Sequence, residues 1–231
     1  YETELMFNYQ YSPKLTLTLA GYYRYFNNVY SYPGSFDFLL ATEDYTNYDY
    51  LVDGITRSQG IEYIVDYADE RKGVLLTYTF SKSEHQFDSI NLGVPFRTNT
   101  DSRHQINFAF HYDINKKFKV GFNWTYNSPR PKTNVLQFTS NGIFSNIDED
   151  PPGEKNRTSG NRYSRFDINL QFNHAGKKLH HRLEAGVYNF MNTRNTAFHQ
   201  VQYIDFNSGE VVSNPLASIP IMPSLSYRVS F

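Results

Sequence analysis

The sequence predicts an all-β, antiparallel protein whose strands are long enough to cross a membrane. Three observations lead to this prediction: a helix-poor composition, long stretches in which apolar and polar residues alternate, and connections that alternate between short and long. The 231 residues include only 8 Ala but 22 Asn, and Ala is the best helix former while Asn is a poor one. Strands are therefore expected throughout the chain.

Alternation with a period of two residues defines the strands. In the clearest hairpin, apolar side chains occupy every second position of 106–112 and 118–126, on either side of a turn at 113–117. Such a pattern gives a strand one oily and one polar face. Ile64 and Leu75 interrupt the polar face of another hairpin. Alternating stretches predict nine strands of membrane-crossing length: 5–11, 15–25, 61–67, 74–80, 106–112, 118–126, 166–172, 179–187 and 221–231.

Two further strands, 198–206 and 210–213, are joined at Asn207-Ser208-Gly209. The second one is too short before Pro215 to cross a bilayer. We expect this pair to form an extracellular hairpin outside the membrane.

The connections sort by length. Turns of three to five residues near Ser12, Asp69, Asp113 and His174 alternate with long polar segments at 27–53, 81–102, 128–161 and 191–219. Outer-membrane barrels place short turns at one end and long loops at the other, so the sorting favours a transmembrane β-barrel. The alternative is a soluble or surface β-sandwich with an adhesive or structural role, in which the oily faces pack against each other.

Several other classes are excluded or disfavoured. The longest apolar run is four residues, 38–41, far short of the roughly 18 to 20 of a membrane helix. A net charge of −1 without a basic stripe argues against nucleic acid as a partner, and the absence of Cys excludes disulfides. No nucleophile elbow, phosphate loop or dinucleotide motif is present. We expect neither an enzyme nor a cofactor, with an outer-membrane barrel enzyme as the second alternative.

Candidate ligand-contact residues in the second long loop are Phe87, Phe96 and Arg97, and packing within the loop is their alternative role. Acidic residues 148–150 could bind calcium, although a charge run in a loop is usually solvated. The adjacent His180 and His181 point to opposite faces of a strand, so we expect no metal site there.

Nine strands leave an open sheet, whereas single-chain bacterial barrels have an even number of strands. At about 26 residues per strand, a 22-stranded plugged transporter would need roughly 570 residues. We therefore expect further strands before Tyr1.

Five segments carry a resemblance to a known family: RSQGIE at 57–62, YTFSKSE at 78–84, DSRHQ at 101–105, VYNFMN at 187–192 and IPIMPSLSYRVSF at 219–231. Together, in this order, they resemble the C-terminal part of the 22-stranded barrel of TonB-dependent outer-membrane receptors of Gram-negative bacteria. The resemblance implies that residues 1–231 are the C-terminal barrel segment, without the plug domain and the N-terminal strands.

The resemblance also implies a function and partners. The whole receptor would bind a nutrient or chelate and import it across the outer membrane, with energy coupled through TonB. Its partners would be the rest of the barrel and its plug, outer-membrane lipid, the TonB complex, the barrel-assembly machinery and a surface lipoprotein. The tail, with Leu225, Tyr227, Val229 and the terminal Phe231, is similar to the signal that the assembly machinery reads.

Overall fold

The computed structural model describes residues 1–31, 51–132, 158–205 and 210–231. They form fourteen β-strands and one 3₁₀ turn at Asn91–Gly93. No helix in these residues has the length and hydropathy of a membrane span. The strands are β1 (Glu2–Ser12), β2 (Leu15–Ser31), β3 (Val52–Ala68), β4 (Lys72–Phe87), β5 (Phe96–Arg97), β6 (His104–Asp113), β7 (Phe118–Asn127), β8 (Pro131–Lys132), β9 (Thr158–Ser159), β10 (Tyr163–Ala175), β11 (His180–Tyr188), β12 (Thr196–Asp205), β13 (Glu210–Ala217) and β14 (Met222–Ser230).

Nine long strands form one continuous antiparallel sheet in the order β1-β2-β3-β4-β6-β7-β10-β11-β14, with the two-residue β5 paired to β4. The nine-strand prediction is confirmed. Short turns join β1 to β2, β3 to β4, β6 to β7 and β10 to β11, all at one end of the sheet, which we call the short-turn end. The opposite end is the long-loop end. The sheet is open, with β1 and β14 at its edges.

Two strands extend well beyond their predicted ends. The predicted loops begin at residues 27 and 81, but β2 continues to Ser31 and β4 to Phe87. Beyond the apolar stretch a strand needs no oily face, so the alternation is lost while backbone pairing continues. In β2 the extension includes an irregularity between Phe26 and Val29, where Asn28 adopts a positive φ of 54°.

The predicted hairpin is confirmed as β12 and β13, a two-stranded sheet separate from the main one. Its second strand is longer than predicted, because it continues through Pro215 to Ala217. A two-stranded ribbon has only edge strands, and an edge strand tolerates the missing N–H of proline. The predicted turn at 207–209 lies outside the described residues.

The register keeps most apolar side chains of the main sheet on one surface, which we call the apolar face. Leu170, for example, lies between Val120 on β7 and Ala185 on β11. Phenylalanine rings pack across the strands on this face, with centroid separations of 5.0 Å for Phe110–Phe122 and 4.9 Å for Phe118–Phe172. Such cross-strand aromatic pairs stabilise a sheet.

The apolar face is uncovered and carries no charged side chain over 61–67, 74–80, 106–112, 118–126, 164–174, 181–187 and 223–229. Phe7 is 61% exposed and Leu225 is 74% exposed. The fully buried hydrophobic residues in the described part of the chain are Ala20 and three side chains of one loop. A β-sandwich would bury the apolar face against a second sheet, so the sandwich alternative is wrong.

Aromatic residues with a polar group mark both margins of the apolar face. Tyr23, Tyr25, Trp124 and Tyr126 lie toward the long-loop end, and the indole N–H of Trp124 donates to Ser164 Oγ at 3.2 Å. Tyr11, Tyr67, Tyr112 and Tyr227 lie toward the short-turn end. Two aromatic belts around an apolar band are typical of barrels that cross an outer membrane.

The turn between β3 and β4 is held by Asp69. Its carboxylate accepts the backbone N–H of Arg71 at 2.8 Å and of Lys72 at 3.0 Å, and the hydroxyl of Tyr67 at 2.7 Å. These hydrogen bonds, led by the one from Arg71, lower the pKa of Asp69 from 3.8 to about 2. Because the folded state holds this proton less tightly than the unfolded state, the ionised carboxylate stabilises the fold above about pH 4.

We expect Asp69→Ala to lower the stability of the full-length protein at pH 6, and the difference from wild type to shrink as the pH falls from about 4 to 2. Urea unfolding in detergent micelles at a series of pH values measures this difference. Glu70→Gln, in the same turn, is the matched control and should have no such pH dependence. A wild-type advantage that stays constant down to pH 2 would contradict the role given to Asp69.

Candidate functional site

The surface opposite the apolar face is the polar face of the sheet, and it carries both signs of charge. If the sheet encloses a passage, as the sequence predicts, these side chains line it. Ile64 and Leu75 are exceptions that lie on this face on neighbouring strands, with Asp66 opposite Leu75. Its polar members include Thr16, Thr18, Arg24, Glu62, Asp66, Asn107, His111, Lys119, Asn123, Arg165, Asp167, Asn169, Gln171, Arg182, Glu184, Ser224 and Arg228.

One arginine–tyrosine cluster lies on β1 and β2 toward the long-loop end of the polar face. The Arg24 guanidinium is 2.6 Å from Glu2 and 4.5 Å from the centre of the Tyr22 ring. The Tyr22 ring lies over Gly60 of β3, where an added Cβ would stand 2.7 Å from it. Glycine at this position therefore allows the ring to lie flat against the sheet beside the guanidinium.

A second arginine–tyrosine cluster lies on β10 and β11 at the same end. Arg165 donates to Asp167 at 3.0 Å and to the hydroxyls of Tyr163 and Tyr188 at 3.3 Å each. Its guanidinium also stands 4.7 Å from the centre of the Tyr188 ring. Each cluster holds a guanidinium against one tyrosine ring and beside one carboxylate and leaves it partly accessible, an arrangement that can bind an anionic or aromatic ligand.

The loop between β4 and β6 has a small core of its own. Phe87, Ile90 and Phe96 are buried together, and Val29 and Val52 pack against them from β2 and β3. Phe87 is 1% exposed and Phe96 is 6% exposed. The structure thus places Phe87 and Phe96 in packing within the loop, which is the alternative role named above. Ligand contact by these two residues and by Arg97 stays a prediction.

Asp101 fastens this loop to the sheet. Its side chain is fully buried and accepts from Arg97 Nε at 2.7 Å, and it pairs with Arg103 Nε at 3.1 Å. The backbone N–H of Ser83 on β4 also donates to it, at 3.1 Å. Asp101 was not singled out as a site residue from the sequence, although it belongs to the DSRHQ segment that carries the resemblance.

Two buried asparagines, Asn189 and Asn195, fasten the loop between β11 and β12. The Asn195 side-chain amide pairs with both the N–H and the C=O of Ser164, at 2.8 Å each, and so acts as a short extra strand. Asn189, with a positive φ of 51°, accepts from Thr193 and donates to the carbonyls of Thr193 and Ile219. Sequence reasoning missed both roles; Asn189 belongs to the VYNFMN segment that carries the resemblance, whereas Asn195 lies outside it.

The residues of the predicted assembly signal lie as the alternation requires. Leu225, Tyr227 and Val229 share the apolar face of β14, opposite Ala185, Leu183 and His181 of β11. Tyr227 shares a hydrogen bond of 2.7 Å with His181 Nδ1, and Phe231 follows the strand with its side chain exposed. Recognition by the assembly machinery stays a prediction.

The expectations about metal sites concern residues inside and outside the described part of the chain. Among the described residues, no group of three or more His, Cys, Asp or Glu side chains is placed to hold a metal ion. The acidic residues 148–150, named as a calcium candidate, lie outside the described residues.

We expect Asp101→Ala to loosen the loop at 88–100, because Arg97 and Arg103 lose the carboxylate that they share. Loss of such charged hydrogen bonds costs about 1–3 kcal/mol, so backbone amides of the loop should exchange with deuterium roughly tenfold faster or more. Hydrogen exchange with mass spectrometry of the full-length protein measures this. Asp88→Asn, an exposed position in the same loop, should leave exchange unchanged; equal exchange in both variants would contradict the role of Asp101.

Comparisons with known proteins identify the fold. No family model matches the chain, and no curated protein matches it by sequence. Solved structures do match. The ferric-catecholate import receptor Fiu from E. coli K12 aligns with 98% of this chain at a TM-score of 0.57 and 17% identity. The ferripyoverdine receptor of the Pseudomonas aeruginosa outer membrane aligns with 99% of this chain at a TM-score of 0.58 and 13% identity. The ferric citrate transporter FecA aligns with 99% of this chain at a TM-score of 0.63 and 15% identity.

The chain spans 27%, 26% and 30% of the lengths of these three proteins, respectively. At such identities the likeness concerns the fold, and it agrees with the open nine-strand sheet, the two aromatic belts and the sorted connections. The predicted fold class is confirmed: the chain has the antiparallel fold of part of an outer-membrane receptor β-barrel.

Proposed function

We propose that the chain is the C-terminal, nine-strand part of the barrel of an outer-membrane receptor that imports a ferric chelate into Gram-negative cells. The observation that carries this proposal is the uncovered apolar face, which has aromatic belts at both margins and no charge between them. Exposed to water, so large an apolar surface would be an aggregation site, whereas lipid accommodates it. The receptor-like fold supports the same proposal.

The open sheet edges support a larger barrel. In the hydrocarbon region every backbone N–H and C=O must be paired, and each orphan costs several kcal/mol. The exposed edges of β1 and β14 would be paired by further strands of the same protein, and these would enclose the polar face. The short-turn end would then face the periplasm and the long-loop end the outside.

The two arginine–tyrosine clusters support an anionic or aromatic cargo. Both lie toward the outer end of the polar face, where an incoming ligand would first meet the barrel wall. The neighbours named above handle ferric catecholate, ferripyoverdine and ferric citrate, so we propose a ferric chelate as the class of cargo. The clusters would contact the chelating groups, and the chelating groups would coordinate the metal.

The resemblance to TonB-dependent receptors supplies the remaining parts of the proposal. A plug domain in the lumen, TonB in the periplasm and the barrel-assembly machinery would be partners, and a surface lipoprotein is a further one to seek. Transport does not require the protein to make or break covalent bonds in its cargo. We therefore propose that the protein is not an enzyme.

Uptake of iron-55 chelates by cells with and without the full-length gene tests the function. We expect the gene to confer uptake of at least one chelate under iron limitation, and a protonophore to stop uptake while leaving surface binding intact. Uptake that survives the protonophore would contradict energy coupling through TonB. Equal uptake with and without the gene, across catecholate, hydroxamate and citrate chelates, would contradict the import proposal.

Ala185→Arg tests whether the apolar face contacts lipid. Ala185 is exposed on β11 in the middle of the apolar face, so an arginine there loses no packing but enters hydrocarbon, at a cost of about 2–4 kcal/mol. We expect less folded protein in the outer membrane, measured by heat-modifiable electrophoretic mobility. The matched control is Gln171→Arg, one register position away on the polar face and opposite Glu184, which should assemble normally. Equal assembly of both variants would contradict a lipid-facing surface.

Deletion of Phe231 tests the assembly signal. In the full-length protein we expect lower surface levels, because the assembly machinery would lose the terminal aromatic residue that it reads. Phe231→Tyr keeps an aromatic terminus and should retain most of the surface level. If the deletion leaves the surface level unchanged, the tail is only the last strand of the sheet.

A further inference from the structure

Four lysines lie close together at the short-turn end. Lys116 and Lys117 belong to the turn between β6 and β7, and Lys177 and Lys178 to the turn between β10 and β11. We call these four residues the turn patch. The two turns are neighbours, because β7 pairs with β10 and the backbone N–H of Asn173 donates to the carbonyl of Lys117 at 2.7 Å.

The charge of the turn patch is not compensated. All four lysines are exposed, and none forms an ion pair with a described residue. The one carboxylate within 113–119 and 173–181 is Asp113, and it is engaged by Lys119 at 2.8 Å.

The turn between β3 and β4 differs from the turn patch, because it balances its two cations with Asp69 and Glu70. Its cations are also engaged locally. Arg71 donates to the carbonyls of Asp113 and Ile114, and Lys72 lies 5.4 Å from the centre of the Tyr67 ring. Besides the single exposed Lys14 of the turn between β1 and β2, the lysines of the short-turn end that have no ion pair or ring contact with a described residue all lie in the turn patch.

The turn patch borders the apolar face directly. Ile114 and Leu179 are large exposed hydrophobic residues in the same two turns, and the tilted ring pair Phe118 and Phe172 follows on the strands. Cations above an apolar surface match the layering of a phospholipid, which places phosphate above acyl chains. An acidic soluble protein is a less suitable partner than a phospholipid, because it would have to cover the exposed apolar residues in addition to pairing with the lysines.

We propose that the turn patch binds the phosphate groups of anionic phospholipids in the leaflet that surrounds the short-turn end. This proposal rests on the membrane location proposed above. A lysine near an anionic membrane surface contributes about fivefold to binding, and the long side chains can keep their stems on the apolar margin while the ammonium groups reach the headgroups.

Lipid binding to the delipidated full-length protein tests the proposal. Native mass spectrometry in detergent micelles would give the apparent Kd of phosphatidylglycerol and of phosphatidylcholine. We expect wild type to prefer phosphatidylglycerol, and replacement of the four lysines by Gln to reduce that preference about fivefold or more. Replacement of all four by Arg should preserve it.

A control variant removes charge at the other end of the sheet. Arg57→Gln with Lys82→Gln takes two cations from the long-loop end of the apolar side and should keep the preference of wild type. An unchanged preference in the four-Gln variant would overturn the proposal. So would full competition by millimolar inorganic phosphate, since the patch would then be a site for free phosphate.

Flotation with phosphatidylcholine vesicles separates this proposal from the one on which it rests. If the refolded protein fails to enter vesicles at all, the membrane location is wrong. If it enters vesicles but shows no preference for phosphatidylglycerol, only the role of the turn patch is wrong.

Discussion

The antiparallel register of nine strands is the constraint on which the rest of the structure depends. Side chains alternate between two surfaces along a strand, so a slip of one residue in any pair would send apolar groups to the polar face. The pairs Leu170–Val120 and Leu170–Ala185 show how the register is kept from strand to strand. A single rule of alternation thus produces one apolar surface and one polar surface.

The long-loop end is organised by polar contacts rather than by a large core. Asp101 gathers two arginines and a backbone amide, and Asn195 completes the backbone hydrogen bonds of Ser164. Buried polar groups of this kind must be satisfied to be tolerated. The loops that they fasten stand on strands that continue past the apolar band, so the rim is a folded extension of the sheet.

Much of the fold could be predicted because alternation is a local signal. The nine strands, the separate hairpin and the short turns all follow from patterns within ten or so residues. The strand extensions to Ser31 and Phe87 could not be predicted, since their residues lack an alternating apolar face, and side-chain contacts such as Thr56–His85 depend on which strands are neighbours. The two arginine–tyrosine clusters were also missed, because they depend on which strands are neighbours, as with Tyr163 and Tyr188 around Arg165.

The site residues show the same limit. Phe87 and Phe96 look like ligand contacts when only their loop position is known, yet their partners Val29 and Val52 come from strands far away in the sequence. Asn189 and Asn195 carry no periodic pattern at all. Their roles depend on a positive φ and on matching a backbone amide, which only the three-dimensional arrangement displays.

The way in which Asp101 is held has a consequence for access to the polar face. The carboxylate ties β4, β5 and the start of β6 to each other, so the loop at 88–100 cannot swing as a hinged cover without exposing a buried charge. In the proposed barrel, this part of the rim would be a stationary edge of the entrance. Any opening and closing of that entrance would then not come from this loop.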